Sequence, residues 1–423
     1  MPDAPGINRR EFVTTAAGAA AALGLTGRVL NRALGDDAKP VNPDDPAKGG
    51  TINVGLIGCG GQMNGYHITK LLELGKNGAE DVKIVAVCDI YEPRLQRAVE
   101  RTGGKAYHNY TDLLKHPGLH AVHIATPDHW HCRMASDALN AGLDVYCEKP
   151  VTYTWEEAKE LRDLVRKTNR VFQVGVQTTS EGVWHKAGEL IKAGAIGKVV
   201  WSQTSYSRNS TGGEWNYAID PEASEKNLDW EAFLGSAPKR PFSKPRFFQW
   251  RKYWDYSGGI ATDLFFHQMS HMVCALGPGE LPVRVSAGGG IWVQKDDREV
   301  PDTYFMMVDY PSDHSLIVVA SMANRLGVQE LIRGHEATIS FEGRDVVIKP
   351  EDEFKDKRKE EKVAEDWRRD HIQNFIQCIR TRKTPDCPIT LAYPVMTAIN
   401  LGVKSYRENK VFRFDPAKEM IIG

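Results

Sequence analysis

One segment near the start of the chain decides the fold: Thr51-Ile52-Asn53-Val54-Gly55-Leu56-Ile57-Gly58-Cys59-Gly60-Gly61-Gln62-Met63. Its first part, Ile52 to Ile57, is an apolar, β-branched run that predicts a buried strand. The strand enters a glycine-rich turn at Gly58, and a helix is predicted from Met63 to Leu74. A strand, a glycine-rich turn and a helix in this order can hold a pyrophosphate at the helix N-terminus, so the segment predicts a dinucleotide site.

Each glycine of this predicted site has its own role. Gly58 makes the tight turn, and Gly60 lets the backbone approach the pyrophosphate. Gly61, Gln62 and Met63 follow at the helix start, and we predict that all five residues contact the cofactor. Met63 stands where the fingerprint has its third glycine, which is a departure from the pattern. The alternative for the glycines taken alone is a turn without a ligand.

A carboxylate closes the second predicted strand, Lys83 to Cys88, at Asp89. A carboxylate in this position can accept hydrogen bonds from both ribose hydroxyls and would repel a 2′-phosphate. No arginine or serine follows directly, so the sequence favours NAD over NADP. The alternative role for Asp89 is a strand-end cap.

Short strands and amphipathic helices alternate from residue 51 to about residue 175, which predicts a doubly wound parallel sheet of Rossmann type. From residue 176 to 423 longer strands follow one another with few helices between them. This second part therefore predicts an α+β domain with a large, mostly antiparallel sheet. The last helices of this domain can pack back against the Rossmann-type domain. The irregular stretch from Asn209 to Trp250 is the predicted specificity loop.

Two further loops are predicted at the same sheet edge. Thr126 and Pro127 follow the strand Ala121 to Ala125, and we predict that they and His131 contact the cofactor. A structural histidine that caps the next helix is the alternative for His131. Glu148-Lys149-Pro150 follows the strand Asp144 to Tyr146, which fixes the lysine at the crevice where such sheets bind ligands. We predict that Glu148 and Lys149 also contact the cofactor.

A distant helix, predicted from Gly259 to Leu276, carries Asp263 and His267 one turn apart on one face. His267 can accept the proton of a hydroxyl as a hydride leaves, because an unperturbed imidazole has its pKa near working pH. Asp263 can orient that imidazole or bind a substrate hydroxyl, and Lys149 can stabilise the oxygen. We predict these three as the catalytic set. A metal bound by Asp263, His267 and His271 is the weaker alternative, and we predict no metal.

The N-terminal 35 residues are typical of an export signal and residues 36–50 of a linker. Asn8-Arg9-Arg10-Glu11-Phe12-Val13 precedes a short Ala/Gly-rich apolar stretch, as in twin-arginine signals. That machinery moves folded proteins, so we expect an exported, periplasmic protein with a tightly held cofactor. The alternative is a disordered leader. The seven cysteines are an odd number without a CxxC pair, which favours buried free thiols.

The composition is that of an ordinary globular chain, with 41% hydrophobic and 26% charged residues. A net charge of −1 argues against nucleic acid or an anionic membrane as the partner. A small ligand fits better.

From Thr51 to its end, the chain resembles the Gfo/Idh/MocA oxidoreductases, the family of glucose–fructose oxidoreductase and inositol dehydrogenase. The resemblance rests on these residues in order: Gly58, Gly60, Gly61, Asp89, Thr126-Pro127, Glu148-Lys149-Pro150, Asp263 and His267. It implies that Lys149, Asp263 and His267 are catalytic and that an open-faced second sheet forms a homodimer or homotetramer. Two segments resemble the exported bacterial branch, Asp229 to Gly235 and Tyr253 to Gly259, whereas Ser270 departs from a frequent aspartate.

Three functions follow from these observations. The first is an NAD(P)-dependent oxidoreductase that acts on a sugar, polyol or related carbohydrate. The second is an NAD-dependent glycosidase or lyase that oxidises a sugar transiently, as the related α-N-acetylgalactosaminidase does. The third is a non-catalytic sensor, against which the catalytic set argues. The sequence does not name the sugar; six tryptophans are candidates for stacking on it, Trp184, Trp201, Trp215, Trp230, Trp250 and Trp254.

Overall fold

The computed structural model describes residues 50–277 and 279–422. The predicted export signal and all of the predicted linker except Gly50 lie outside these residues.

The first sheet has six parallel strands in the order β3-β2-β1-β4-β5-β6, as predicted for a doubly wound sheet. The order reverses between β1 and β4, which places a crevice at the carboxyl ends of these two strands. The strands are β1 (Ile52–Ile57), β2 (Val82–Cys88), β3 (Lys105–Tyr107), β4 (Ala121–Ile124), β5 (Asp144–Glu148) and β6 (Phe172–Gly175).

Helices connect the strands of this sheet and cover its two faces. The first begins as a π-helical turn, Met63–His67, and continues as α1 (Ile68–Lys76). The capping box predicted from Thr154 and Glu157 is present at the start of the last one. The others are α2 (Glu92–Thr102), α3 (Tyr110–Leu113), α4 (Asp128–Asn140) and α5 (Trp155–Thr168).

The second sheet has ten strands in the order β14-β13-β12-β11-β7-β10-β9-β8-β15-β16. All neighbours are antiparallel except β7 and β10, so the mostly antiparallel sheet is confirmed. Its strands are β7 (Val199–Ser205), β8 (Arg284–Gly290), β9 (Thr303–Tyr310), β10 (His314–Ser321), β11 (Leu331–Gly334), β12 (Ala337–Glu342), β13 (Asp345–Pro350), β14 (Glu361–Ala364), β15 (Phe412–Asp415) and β16 (Met420–Ile421).

Six more α-helices belong to the chain after the first sheet. They are α6 (Gly182–Lys192), α7 (Trp230–Leu234), α8 (Lys244–Phe248), α9 (Phe266–Leu276), α10 (His371–Thr381) and α11 (Ile389–Glu408). A π-helical turn, Ala261–Phe265, leads directly into α9. In the part of the chain that the structure describes, none of the helices has the length and apolar character needed to cross a bilayer.

The C-terminal helices tie the second half of the chain to the first. Ile372, Phe375 and Ile379 of α10 are buried in the same apolar cluster as the residues of β1. At the end of α10, Arg382 donates from one Nη to both carboxylate oxygens of buried Asp144, at 2.9 and 2.8 Å. The predicted packing of the last helices against the first sheet is therefore present.

One face of the second sheet packs against helices, and the other carries apolar side chains without a covering layer in the described chain. Phe305 and Met307 of β9 point to this open face and are 43% and 36% exposed. Ile317 and Val319 of β10 lie opposite them across the ladder, and Trp201 of β7 lies beyond. We call this surface the open face.

The sequence pattern does not predict the short strands β3 and β11 or the polar edge strand β14. Lys105–Tyr107 has only three residues and β11 only four, which is too short for a periodicity signal. The charge of the run Lys355 to Lys362 favours a solvated loop or a helix end, but the run continues into edge strand β14. The sequence pattern also favours a helix from Ala364 to Arg380, whereas the helix begins at His371, because Asp370 caps it by accepting from two backbone N–H groups.

Candidate active site

A cavity of about 950 Å³ lies at the carboxyl edge of the first sheet. Its walls come from the loops after β1, β2, β4 and β5 and from the second half of the chain. Lys149, Asp263 and His267 all line it, as do Gly58 and Asp89. The predicted cofactor residues and the predicted catalytic set are thus brought to one cavity, although more than a hundred positions separate Lys149 from Asp263.

The glycine turn has the shape that a bound phosphate needs. Gly58 has φ +83° and a Cβ there would lie 2.8 Å from Thr126 Cγ2, so only glycine fits. A Cβ on Gly61 would meet no atom within 4 Å, and one on Gly60 would meet only Arg94, at 3.7 Å. The space above these two glycines is therefore part of the cavity, which fits a dinucleotide pyrophosphate.

Met63 does not contact this space, contrary to the prediction. Its side chain is fully buried in the apolar cluster between β1 and α1. The helix opens with a π-helical turn there, so the position that carries the third glycine in the fingerprint points into the core. Gln62 does line the cavity, and its amide donates to Glu148 at 3.0 Å.

Asp89 lies at the end of β2 and is almost fully buried. Its Oδ2 accepts from the backbone N–H of Cys59 at 2.7 Å, and its Oδ1 accepts from that of Tyr91 at 2.8 Å. Burial raises the pKa of this carboxyl, while nearby Arg94 and these hydrogen bonds oppose the rise. Since a carboxylate oxygen has a second lone pair, Asp89 can both hold the glycine turn and accept ribose hydroxyls.

Arg94 is a cavity residue that the sequence did not reveal. Its guanidinium lies 4.7 Å from the ring centre of Phe247 and 5.3 Å from that of Phe248. It stands beside Asp89, five positions further along the chain. The prediction considered only residues directly after Asp89, whereas the first turn of α2 brings Arg94 back to the same wall.

Thr126 and Pro127 line the cavity as predicted, but His131 does not. His131 is buried, with Nδ1 2.6 Å from the carbonyl oxygen of Pro150 and Nε2 2.8 Å from that of Thr126. Both ring nitrogens are therefore used between two loops of the sheet edge. This position away from the cavity favours the structural alternative for His131 over the predicted cofactor contact.

Glu148 lines the cavity next to Lys149, and the buried side chain of His67 holds its carboxylate. Its Oε1 lies 2.8 Å from His67 Nε2, and His67 Nδ1 lies 3.0 Å from His123 Nδ1. Burial alone would raise the pKa of Glu148, but the hydrogen bond and charge of His67 and the charge of Lys149 lower it to about 2. Glu148 is an anion at every ordinary pH.

Lys149 is fixed by Asp263 across the cavity floor. Its Nζ donates to Asp263 Oδ1 at 2.7 Å and to the Asp263 backbone oxygen at 2.8 Å. An ammonium has three N–H donors, so one remains for a ligand in the cavity. Both side chains are about nine-tenths buried, which makes this a desolvated, geometrically fixed ion pair.

Two more side chains hold Asp263. Arg251 Nε donates to Oδ1 at 3.0 Å, and Trp215 Nε1 donates to Oδ2 at 3.2 Å. Burial would raise the pKa of Asp263, but Lys149, Arg251 and Arg208 together hold it well below its usual range. The carboxylate is therefore permanently charged, and its oxygens are occupied by protein donors.

His267 is not oriented by Asp263, which corrects one of the two predicted roles of that aspartate. In residues 50–277 and 279–422, no hydrogen bond joins the imidazole to Asp263 or to another side chain. Burial, and then the charge of Lys149, lower the pKa of His267 to about 3. Partial burial beside the Lys149 ammonium keeps the imidazole neutral at working pH, so the unperturbed pKa assumed from the sequence does not apply.

His271 points away from the cavity, so it does not join Asp263 and His267. Its ring stacks on Trp184 at 3.9 Å, and its Nε2 lies 2.9 Å from Glu330 Oε1. Within the described chain there is no group of three His, Cys, Asp or Glu side chains placed to hold a metal ion. All seven cysteines are unpaired, and six of them are buried.

Of the six candidate tryptophans, only Trp250 lines the cavity, with Arg251 packed over its ring at 4.2 Å. Trp215 acts through its N–H on Asp263, and the others pack elsewhere in the protein. The loop from residue 209 to 250 lines the cavity and also contacts the connection between β2 and α2. Asp229 donates its backbone N–H to Ile90, and Glu92 donates its own to Asn227, beside the Asp89 end.

The comparisons with known proteins agree with this architecture. Residues 52–176 match the family model "Oxidoreductase family, NAD-binding Rossmann fold", and residues 188–423 match "Oxidoreductase family, C-terminal alpha/beta domain". A solved levoglucosan dehydrogenase in complex with NADH and levoglucosan has the same fold, with a TM-score of 0.64 and 21% identity over 85% of this chain and 98% of that one.

Two curated relatives are each similar to this chain over little more than a third of its length. Inositol 2-dehydrogenase of Salmonella paratyphi B is 29% identical over 35% of this chain, and levoglucosan dehydrogenase of Pseudarthrobacter phenanthrenivorans is 31% identical over 37%. The chain spans 44% and 40% of the length of these two relatives. With both domain models matched in order along it, the chain belongs to the Gfo/Idh/MocA oxidoreductase family.

Proposed function

We propose that this protein is an NAD-dependent oxidoreductase that moves a hydride between NAD and a hydroxyl-bearing carbon of a sugar, polyol or related carbohydrate. The observation that carries the proposal is the position of the Lys149–Asp263 pair and His267 in the same cavity as the Gly58 turn and Asp89. The named relatives are dehydrogenases of inositol and levoglucosan. They support a dehydrogenase over the transient-oxidation glycosidase.

The chain's own residues supply binding and proton transfer. Gly58, Gly60 and Gly61 would receive the pyrophosphate, and Asp89 the adenosine ribose. NAD⁺, when bound, supplies the hydride acceptor. Lys149 has one N–H donor left to stabilise the alkoxide that forms at the substrate oxygen.

His267 would take the hydroxyl proton. In the oxidation, the carbinol C–H bond breaks with loss of a hydride, the O–H bond breaks with loss of a proton, and a C=O bond forms. A neutral imidazole has one nitrogen that accepts this proton, and in the described chain no side chain competes for it. In the reverse direction, the same imidazole would return the proton.

We predict that His267→Asn and Lys149→Met each lower kcat by roughly two to four orders of magnitude, the usual worth of a positioned acid–base group. NADH affinity, measured by fluorescence titration, should stay within a few-fold of wild type. The assay is NADH formation with a sugar that the wild-type protein oxidises. Turnover at the wild-type rate in either variant would contradict the catalytic role assigned to that residue.

The same prediction has a pH dependence. Since the pKa of His267 is about 3, the proton acceptor is lost only as pH falls through that value. Between about pH 5 and 8 the oxidation rate should therefore show no change with pH that is caused by titration of His267. A wild-type limb near pH 6.5 that disappears in His267→Asn would contradict a neutral buried imidazole.

The cofactor preference rests on two neighbouring charges. We predict that the wild type binds NADH at least ten-fold more tightly than NADPH, because Asp89 repels a 2′-phosphate. Asp89→Ala should reduce the difference between the NADH and NADPH affinities, because Arg94 then faces the 2′-phosphate without the repelling carboxylate. In the double variant Asp89→Ala/Arg94→Ala, NADPH binding should become weaker again. Tighter NADPH binding by the wild type would overturn the assignment.

We also propose that the protein is exported folded, with its cofactor in place, by the twin-arginine machinery. The Arg9-Arg10 motif and the seven unpaired cysteines support this. The loop from residue 209 to 250 is hydrogen-bonded to Ile90 and Glu92, next to Asp89, which favours a cofactor that is held in the cavity. Replacing Arg9 and Arg10 by lysine should keep the protein in the cytoplasm, whereas periplasmic recovery of that variant would refute the route.

We further propose that the open face binds a second copy of this chain. Exposed Phe305 and Met307, with Ile317 beside Met307, form an apolar patch on adjacent strands. Sedimentation should show a dimer or tetramer for wild type and smaller species for Met307→Lys. Leu72→Lys, at an exposed position on α1 beside the first sheet, is the control. A monomeric wild type would contradict the proposal.

A further inference from the structure

The cavity carries an excess of positive charge around Lys149 and His267. Three cationic side chains line this end, Lys149, Arg208 and Arg251. Asp263 is the carboxylate that faces them, and it already accepts from Lys149 and Arg251. Glu148 also lines the cavity, but its Oε1 is committed to His67 and Gln62. With Glu148 counted as an anion, two carboxylates face three cations, so this end of the cavity keeps one net positive charge.

Arg208 is held by an aromatic side chain. Its Nη2 donates to Tyr206 Oη at 2.8 Å, and its guanidinium lies 4.6 Å from the centre of that ring. The Tyr206 ring in turn lies 6.0 Å from the ring of His267. The Tyr206 ring therefore lies between Arg208 and the proposed proton acceptor, and most N–H donors of Arg208 are unused by these contacts.

Carboxylates influence Arg208 only from a distance. Asp263 and Glu214 both interact with it electrostatically. Within the described residues, however, neither lies within 4.0 Å as an ion-pair partner of its guanidinium. A half-buried guanidinium that lines the cavity without a paired carboxylate is available to bind an anionic ligand.

The cofactor's phosphates do not explain this charge. The proposed pyrophosphate position is the Gly60–Gly61 turn, where the nearest guanidinium is that of Arg94. Arg208 belongs to the segment after β7, at the end of the cavity formed by Tyr206 and His267. The anion that Arg208 fits is therefore carried by the substrate.

We propose that the substrate is an acidic carbohydrate, one that carries a carboxylate or a phosphate, and that Arg208 binds this anionic group. The inference rests on the proposed function and names the substrate class of the same site. A guanidinium presents paired N–H donors that match either anion in a two-point hydrogen bond. Arg251, fixed to Asp263 through Nε, adds its terminal N–H groups and positive charge to the same wall.

The test is calorimetric binding of matched sugars to the NADH-loaded protein. The pairs are D-glucuronate and D-glucose, D-galacturonate and D-galactose, and D-glucose 6-phosphate and D-glucose. At least one acid should bind ten-fold or more tightly than its neutral partner, and the pairs distinguish a carboxylate from a phosphate. Arg208→Met should remove ten-fold or more of that affinity, and Arg208→Lys should keep part of it. Arg413→Gln, an exposed arginine that does not line the cavity, is the control and should bind like wild type.

Three results of the binding experiment would overturn the inference: no acid binding more tightly than its neutral partner, no acid binding at all, or unchanged acid binding in Arg208→Met. The wild-type comparison of acid and neutral sugar needs no variant, so a poorly folded variant does not affect it. NADH formation is measured separately. Turnover of neutral sugars alone would refute this inference and leave the oxidoreductase standing, whereas Arg208-dependent acid binding without turnover of any sugar would refute the proposed function.

Discussion

The ion pair between Lys149 and Asp263 is the contact on which the rest of the site depends. Lys149 follows β5 of the first sheet, and Asp263 lies in the π-helical turn before α9. The 2.7 Å contact joins the two halves of the chain at the floor of the cavity. Because both groups are desolvated, removing either would leave an uncompensated buried charge, at a cost of about 3–5 kcal/mol. The pair therefore fixes the lysine for chemistry and also constrains how the two sheets meet.

The charges around this pair set the protonation states of the site. Asp263 stays ionised because cations surround it, and Glu148 stays ionised because His67 lies against it. The same burial and the nearby ammonium keep His267 neutral. A donor for the substrate oxygen and an acceptor for its proton can therefore coexist in one small volume. Both π-helical turns of the described chain lie here, one carrying His67 and the other Asp263, as often occurs at functional sites.

The sequence predicted the parts of the fold whose signal is local. The strand–glycine–helix pattern at Gly58, the alternation to residue 175 and the antiparallel second sheet are confirmed. Met63 and His131 were assigned to the cofactor because sequence spacing does not say which way a side chain points at a π-helical turn or between two loops. Arg94 and Arg208 were missed for a related reason: Arg94 reaches the cavity through the first turn of α2 and Arg208 through the segment after β7, and neither direction can be read from the spacing of residues along the chain. The residues at the Lys149 and His267 end of the cavity are brought together by contacts between distant parts of the chain, whereas those at the Gly58 and Asp89 end come from neighbouring parts.

A crystal structure of the NADH-loaded protein tests the central claim most directly, since that claim is geometric. The nicotinamide ring should lie over the Lys149–Asp263 pair, with Lys149 Nζ and a nitrogen of His267 both within about 5 Å of one point beside its reactive carbon, leaving room for a carbinol group at hydrogen-bond distance from each. The adenosine ribose should meet Asp89 at the other end of the cavity. A nicotinamide placed away from Lys149, or a His267 side chain turned out of the cavity in the loaded protein, would contradict the claim.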